Sequence, residues 1–261
     1  MLKIATMKIN SKKDIMRNDE KLTSLLMKAE NEDLKVLADI LTTNKKGNLR
    51  FNERLTQREK YPKCYPHNMW PLVPDIVDEL QHYGANTVMT AIRFGDGVPY
   101  RTILRDVAKK LKVSYNKATS DENIERYILQ KLFSDIALKM SEDDLRMLAE
   151  NMRVKLDAKY TKETIIAILQ AAIRRGGFQS YIWIAVAANA IARALFGRGL
   201  SFATNAFLMR ITSLFAGPIG IALNVLWLGV DIAGPAYRVT IPAVVQIAYI
   251  RSKMLNQDYN F

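Results

Sequence analysis

The last third of the chain carries the feature that most limits how it can fold. From Ile211 to Val230 there is no charged residue, and Asp231 and Arg238 then interrupt a further apolar run that ends at Ile250. A helix of about 20 apolar residues is long enough to span a bilayer. Here, however, Gly217, Pro218, Gly220, Asn224 and Gly229 lie inside the run. Proline removes a backbone donor and glycine lowers helix propensity, so one straight helix is disfavoured. The spacing instead predicts two helices, one opened by Pro218 and ending near Gly229, the other opened by Pro235. Together they would form a hairpin, set either into one half of a bilayer or at the centre of a soluble bundle. Both environments select the same residues, and both readings stay open.

Two charges stand out in this apolar end. Burying Asp231 or Arg238 without a partner is costly. A turn at Gly234-Pro235 would bring them together as an ion pair that fixes helix register, whereas helix ends reaching water would leave them apart. Residues 178–196 read as another apolar helix, with Ala185, Ala188, Ala192 and Gly199 spaced for close helix packing. Arg193, Arg198 and Arg210 lie between the apolar blocks, at the rim where anionic head groups would sit. With Leu214, Phe215, Ile219, Leu226 and Trp227 they make the candidate membrane or partner contact.

The preceding residues have another character. Residues 1–18 read as a flexible basic arm, 19–175 as a charged helical domain, and 177–255 as the apolar, Gly/Pro-punctuated helical module. Between Asp19 and Thr43, apolar residues recur at three and four, which predicts an amphipathic helix pair with Asn31 capping the second. Residues 45–68 read as a connector. A helix is predicted from Pro71 to Tyr83, with Gly84 as its stop and Asn86 capping the next. Further helices are predicted at about 100–112, 121–140, 142–153 and 161–175, with Ser141 and Thr161 as caps. No strand pattern of any length occurs. The fold class is all-α: a multi-helix bundle with a C-terminal apolar hairpin module.

One internal repeat stands out. LRDVAKKLKV at 104–113 aligns without gaps with LRMLAENMRV at 145–154, and SDENIERYI at 120–128 continues the register onto TKETIIAIL at 161–169. Each copy reads helix, loop, capped helix, a tandem helix-loop-helix pair. Such units look like small DNA-binding modules of the SAP type. Lys109, Lys110, Lys112 and Lys117, with Arg146, Arg153 and Lys155, would be the phosphate contacts, whereas the ordinary reading of such lysines is a solvated helix face.

The net charge of +12 favours an anionic partner, nucleic acid or a lipid surface. With Cys64 as the single cysteine no intrachain disulfide can form, which fits a reducing cytoplasm, with the inner membrane as a second setting. No chemistry of an enzyme is written in the chain. Cys64 and His67 have C-x-x-H spacing, but His82 adds only a third ligand, short of a structural zinc set. The glycines form neither a P-loop nor a dinucleotide fingerprint. Acidic residues such as Asp75, Glu79 and Glu122 read as solvated helix surface. No catalytic residue, cofactor, metal or small-molecule substrate is assigned.

Five segments carry a family resemblance: LADILTTNKKGNLRF at 37–51, DELQHYGANTV at 78–88, PYRTILRDVAKKLKV at 99–113, GPIGIALN at 217–224 and GPAYRVTIPAVVQIAYIR at 234–251. In these the chain resembles the uncharacterised bacterial YaaW family across roughly residues 20–255. The resemblance implies a short N-terminal domain followed by a region similar to the ubiquinol–cytochrome c chaperone domain. That would make the protein a helical, non-catalytic assembly factor at a membrane or on a membrane-protein partner. A nucleic-acid-binding helical protein and a membrane-perturbing effector are the alternatives.

Overall fold

The computed structural model describes residues 19–44, 46–50, 53–88, 97–177, 180–186, 188 and 236–255. Among them the chain is all-α. The helices are α1 (Glu20–Leu26), α2 (Asn31–Thr42), α3 (Tyr61–Cys64), α4 (Val73–Val88), α5 (Tyr100–Lys110), α6 (Asp121–Ala137), α7 (Glu142–Asn151), α8 (Lys162–Arg175) and α9 (Tyr237–Leu255), with a further helical stretch at 180–186. One isolated bridge, Thr43 to Leu49, closes the turn after α2.

Local signals account for several helix starts. Asp19 caps α1 through Leu22 N at 3.2 Å, and its other oxygen accepts from Tyr100 N at 2.8 Å. One carboxylate thus serves the N-termini of two helices, where backbone donors lack partners. Ser141 and Asp144 form a reciprocal capping box on α7, and Thr161 caps α8 through Thr164 N. The predicted connector at 45–68 is partly ordered into the one-turn 3-10 helix Leu55–Gln57 and the short α3.

Three local expectations are corrected. Asn31 does not cap α2, because Glu30 occupies the cap position. Its amide instead bridges to the chain before α4, donating to Pro66 O at 2.9 Å and accepting from Met69 N at 2.8 Å. Gly84 does not stop a helix, since α4 runs through it to Val88, and Asn86 lies inside that same helix. Gly84 is buried where α4 crosses α5. A Cβ there would lie 2.3 Å from Ile103 Cγ1 and 2.9 Å from Val98 Cγ2. Glycine serves close packing at this point, not chain reversal.

The apolar C-terminus can be followed from residue 236. Here it is protein core. Every residue of α9 from Val239 to Ile250 is buried, on all sides of the helix. α9 packs against α2, α4, α5 and α6. A helix apolar all round belongs in a core or a bilayer, and four helices of the 19–175 region enclose this one. Its last turns are tied down by charge. Arg251 holds Glu125 of α6 with bonds of 2.8 and 3.1 Å, and Lys253 reaches Asp33 at 2.9 Å and Glu30 at 2.6 Å. Gln246 donates to the Asp33 carbonyl at 3.2 Å.

The stretch 180–186 is buried beside them. Trp183 donates its indole N–H to Leu129 O at 3.2 Å and meets Phe133 edge-on at 4.7 Å, while Tyr181 stacks on Tyr249 at 6.3 Å. Among the described residues no helix is long and apolar enough to cross a membrane.

Candidate nucleic-acid interface

The tandem repeat is built into the backbone. In the first copy α5 ends with Lys112 at φ 56°, Lys112 N donating to Lys109 O at 3.1 Å and Val113 N to Ala108 O at 2.8 Å. In the second, α7 ends with Arg153 at φ 55°, Arg153 N donating to Glu150 O at 2.9 Å and Val154 N to Ala149 O at 2.8 Å. Both are Schellman caps, in which the left-handed residue lets the chain return across the last helical turn. Each loop then makes the same Asx turn: Ala118 N donates to Asn116 Oδ1 at 2.9 Å, and Lys159 N to Asp157 Oδ1 at 2.8 Å. Ser120 and Thr161 cap the helices that follow.

An arginine on the first helix of each copy clamps its loop. Arg105 donates to Lys117 O, and Arg146 to the carbonyls of Asp157, Ala158 and Tyr160 at 3.1, 3.1 and 2.8 Å. Arg146 also pairs with Glu142 at 2.7 Å. The sequence puts Arg146 among the phosphate contacts; in the structure its guanidinium shapes the loop instead. Lys110 is likewise engaged, 5.2 Å from the Tyr237 ring. Lys109, Lys112 and Lys117 are exposed around the first loop, and Arg153 and Lys155, with Lys159, around the second. From Lys109 to Thr119 no acidic residue offsets these charges.

The left-handed position is the informative one. A residue with a side chain is uncommon there, and glycine is its usual occupant. Each copy nevertheless places a long cation at it. Lys112 and Arg153 are both exposed and stand at the same point of each loop.

Between the copies lies a groove of about 340 Å³. Its walls include Lys112 and Ser114 of the first loop, Tyr127, Gln130 and Lys131 of α6, and Gln170 and Arg174 of α8, over a floor that takes in the apolar Val113, Phe133 and Ile173. Of these only Lys112 stands out in the sequence. The gapless repeat carries a signal for the others: the positions aligned with Tyr127, Gln130 and Lys131 are Ile168, Ala171 and Ala172. A difference between copies marks what one copy alone does.

A second cleft, of about 220 Å³, opens beside the Glu125–Arg251 pair. Burial pushes the Glu125 carboxyl up, and the Arg251 guanidinium and the Tyr100 hydroxyl pull it back. Both Glu125 oxygens are thereby occupied. Glu79, expected on the solvated surface, is buried instead. Burial raises its carboxyl to about 7, Arg54 N–H opposes the rise, and neighbouring Glu53 adds to it. His82 lies inside α4, half-buried, and burial holds its imidazole below the usual range. No group of three metal-ligating side chains comes together among the described residues.

The candidate membrane contacts Arg193, Arg198, Arg210, Leu214, Phe215, Ile219, Leu226 and Trp227 lie outside the described residues, as does Asp231 of the expected ion pair. Arg238 is exposed, at the first turn of α9.

The chain is similar to a UPF0174 protein of Helicobacter pylori strain J99, 37% identical over 89% of this chain and 92% of the relative. It is similar to a UPF0174 protein of H. pylori strain 26695, 34% identical over 78% of this chain and 99% of the relative. The UPF0174 protein YaaW of Escherichia coli K12 is 32% identical over 90% of this chain and 94% of the relative. No family model matches the chain. Nor does any solved structure.

Proposed function

The chain belongs to the UPF0174 family, and on that premise we propose that it is a non-enzymatic nucleic-acid-binding protein whose tandem helix-loop-helix pair docks on phosphates. The observation that carries the reading is the cation at the left-handed position of both loops, Lys112 and Arg153. Strain kept where glycine would relieve it points to a function for the side chain. The acid-free first loop and the net charge of +12 support the same reading. The apolar C-terminus, in so far as it is α9, serves this reading as a scaffold, because its four partners include α5 and α6, the two helices of the first copy.

Phosphate contacts release counterions, so affinity must fall as salt rises, with a slope of about 0.9 per contact on duplex DNA and about 0.7 on single strands. The test is fluorescence anisotropy of the full chain with labelled oligonucleotides from about 50 to 200 mM salt. The expected result is salt-sensitive binding whose slope drops by about one to two when Lys112 and Arg153 are both replaced by glycine. Glycine suits the backbone at both positions, so the variant keeps its fold. Absent or salt-insensitive binding overturns the proposal. Vesicles of anionic lipid form the second arm: flotation with them, together with no binding to oligonucleotides, returns the apolar module and its membrane setting to first place.

A further inference from the structure

The groove between the copies has a different chemistry from the loops. Tyr127 presents an aromatic ring on one wall and is 38% exposed. Beside it the Gln130 side-chain amide has no partner among the described residues, so it offers both a donor and an acceptor. Gln170 is oriented from the opposite helix, donating to Ser134 Oγ at 2.9 Å, while Ser134 itself donates to the Gln130 carbonyl. This fixed chain leaves the Gln170 amide oxygen without a described bond. At the mouth, Lys112 and Arg174 are exposed and make no ion pair among the described residues. Lys131 is held by Asp135.

A ring to stack on, amides to read an edge, and two unneutralised cations outside make the chemistry of an unstacked nucleotide. The volume, about 340 Å³, lies at the small end of ligand sites. The second copy cannot repeat the site, because Ile168 and Ala171 replace Tyr127 and Gln130. We infer that the groove takes one base of a single-stranded nucleic acid, stacked on Tyr127, with the flanking phosphates on Lys112 and Arg174. The inference rests on the nucleic-acid reading above and adds to it the strandedness of the partner and a base-dependent site. A paired base cannot enter without being flipped out, so a duplex would bind more weakly than a single strand at the same salt.

The experiment compares a short oligothymidylate with an abasic strand of equal length and with a duplex, using the full chain. Stacking of one base contributes about 5- to 160-fold in affinity. The wild-type chain is expected to prefer the base-bearing strand by that margin. Tyr127→Ala should abolish the preference and leave abasic binding and its salt slope unchanged, whereas Tyr127→Phe should retain the preference. Equal wild-type affinity for the abasic strand, or a preference that survives Tyr127→Ala, overturns the groove assignment and leaves the phosphate reading intact. Failure to bind any of the three strands at low salt overturns both. Tyr127 is partly exposed, and circular dichroism of the alanine variant checks that the helices persist.

Discussion

Replacing Gly84 by alanine tests the helix crossing at the centre of the fold. In an exposed helix this change is stabilising by about 1 kcal/mol, since glycine is a poor helix former and leaves the unfolded chain freer. Here the added methyl would stand 2.3 Å from Ile103 Cγ1, 2.6 Å from Ile103 Cδ1 and 2.9 Å from Val98 Cγ2. Carbon atoms in good contact are about 3.5–4.0 Å apart, so α4 and α5 must separate by roughly an ångström or Ile103 must leave its rotamer. Ile103 and Val98 are both fully buried, so neither can swing out into solvent. Overpacking of this kind costs about 1–3 kcal/mol, and an off-rotamer side chain adds about 1. Set against the propensity gain, the net expectation is a loss of about 1–3 kcal/mol, read as a lowered urea midpoint at unchanged slope. Ile103→Ala alone should cost about 2–5 kcal/mol through its cavity. The double variant should be more stable than the sum of the two, because the methyl added at residue 84 enters that cavity, with a coupling of about 1–2 kcal/mol. A rise in midpoint for Gly84→Ala, or strict additivity in the double variant, would refute the close crossing.

Three further outcomes are expected. Glu79 has a folded-state pKa of about 7 against an ordinary 4.5. Its contribution to stability is therefore fully present below about pH 4.5 and lost as pH rises through 7, on the order of 3 kcal/mol in all. Urea midpoints at about pH 5 and pH 8 should differ less in Glu79→Gln than in the wild type, and equal differences would remove the assignment. Arg251→Ala should destabilise by about 3–5 kcal/mol by stranding buried Glu125, while Arg251→Met paired with Glu125→Leu should recover most of the loss; thermal unfolding of the three chains decides it. Lys112→Gly should raise stability by about 1 kcal/mol while weakening oligonucleotide binding, because it relieves a left-handed backbone and removes a cation. A destabilised Lys112→Gly would mean that the side chain is structural.

What can be read in the sequence is local. Ser141 and Thr161 announce their helices because a cap acts within one turn, and the repeat is legible because its caps and loop length recur together. Gly84 misleads because a helix stop and a close crossing make the same demand, the absence of a Cβ, and only the partner helix tells them apart. Asn31 misleads for a similar reason: its side chain satisfies backbone groups of residues 66 and 69, which no local pattern reveals. Of the interface, the lysines are visible as charges. The positive φ of Lys112 and Arg153 and the engagement of Arg146 by its loop are not, since both depend on how the chain returns after each helix. Residues 236–250 stay open between core and bilayer on sequence alone, because apolarity on every face satisfies either and only the surrounding helices decide.

The place of α9 bears on how the chain is made. Gln246 and Lys253 meet Asp33 across sequence separations of 213 and 220 residues. The helices emerging first therefore share a core with one that emerges late. At synthesis rates of about 5–20 residues per second, some 80 residues between the end of α8 and the end of α9 take roughly 4–16 s. Throughout that interval α2, α4, α5 and α6 lack the helix they surround, and their apolar faces are open to other chains. Contacts this distant also slow folding. A nascent chain of this kind has reason to meet a chaperone, and one halted before residue 236 would display an unfilled apolar trough rather than a smaller stable protein.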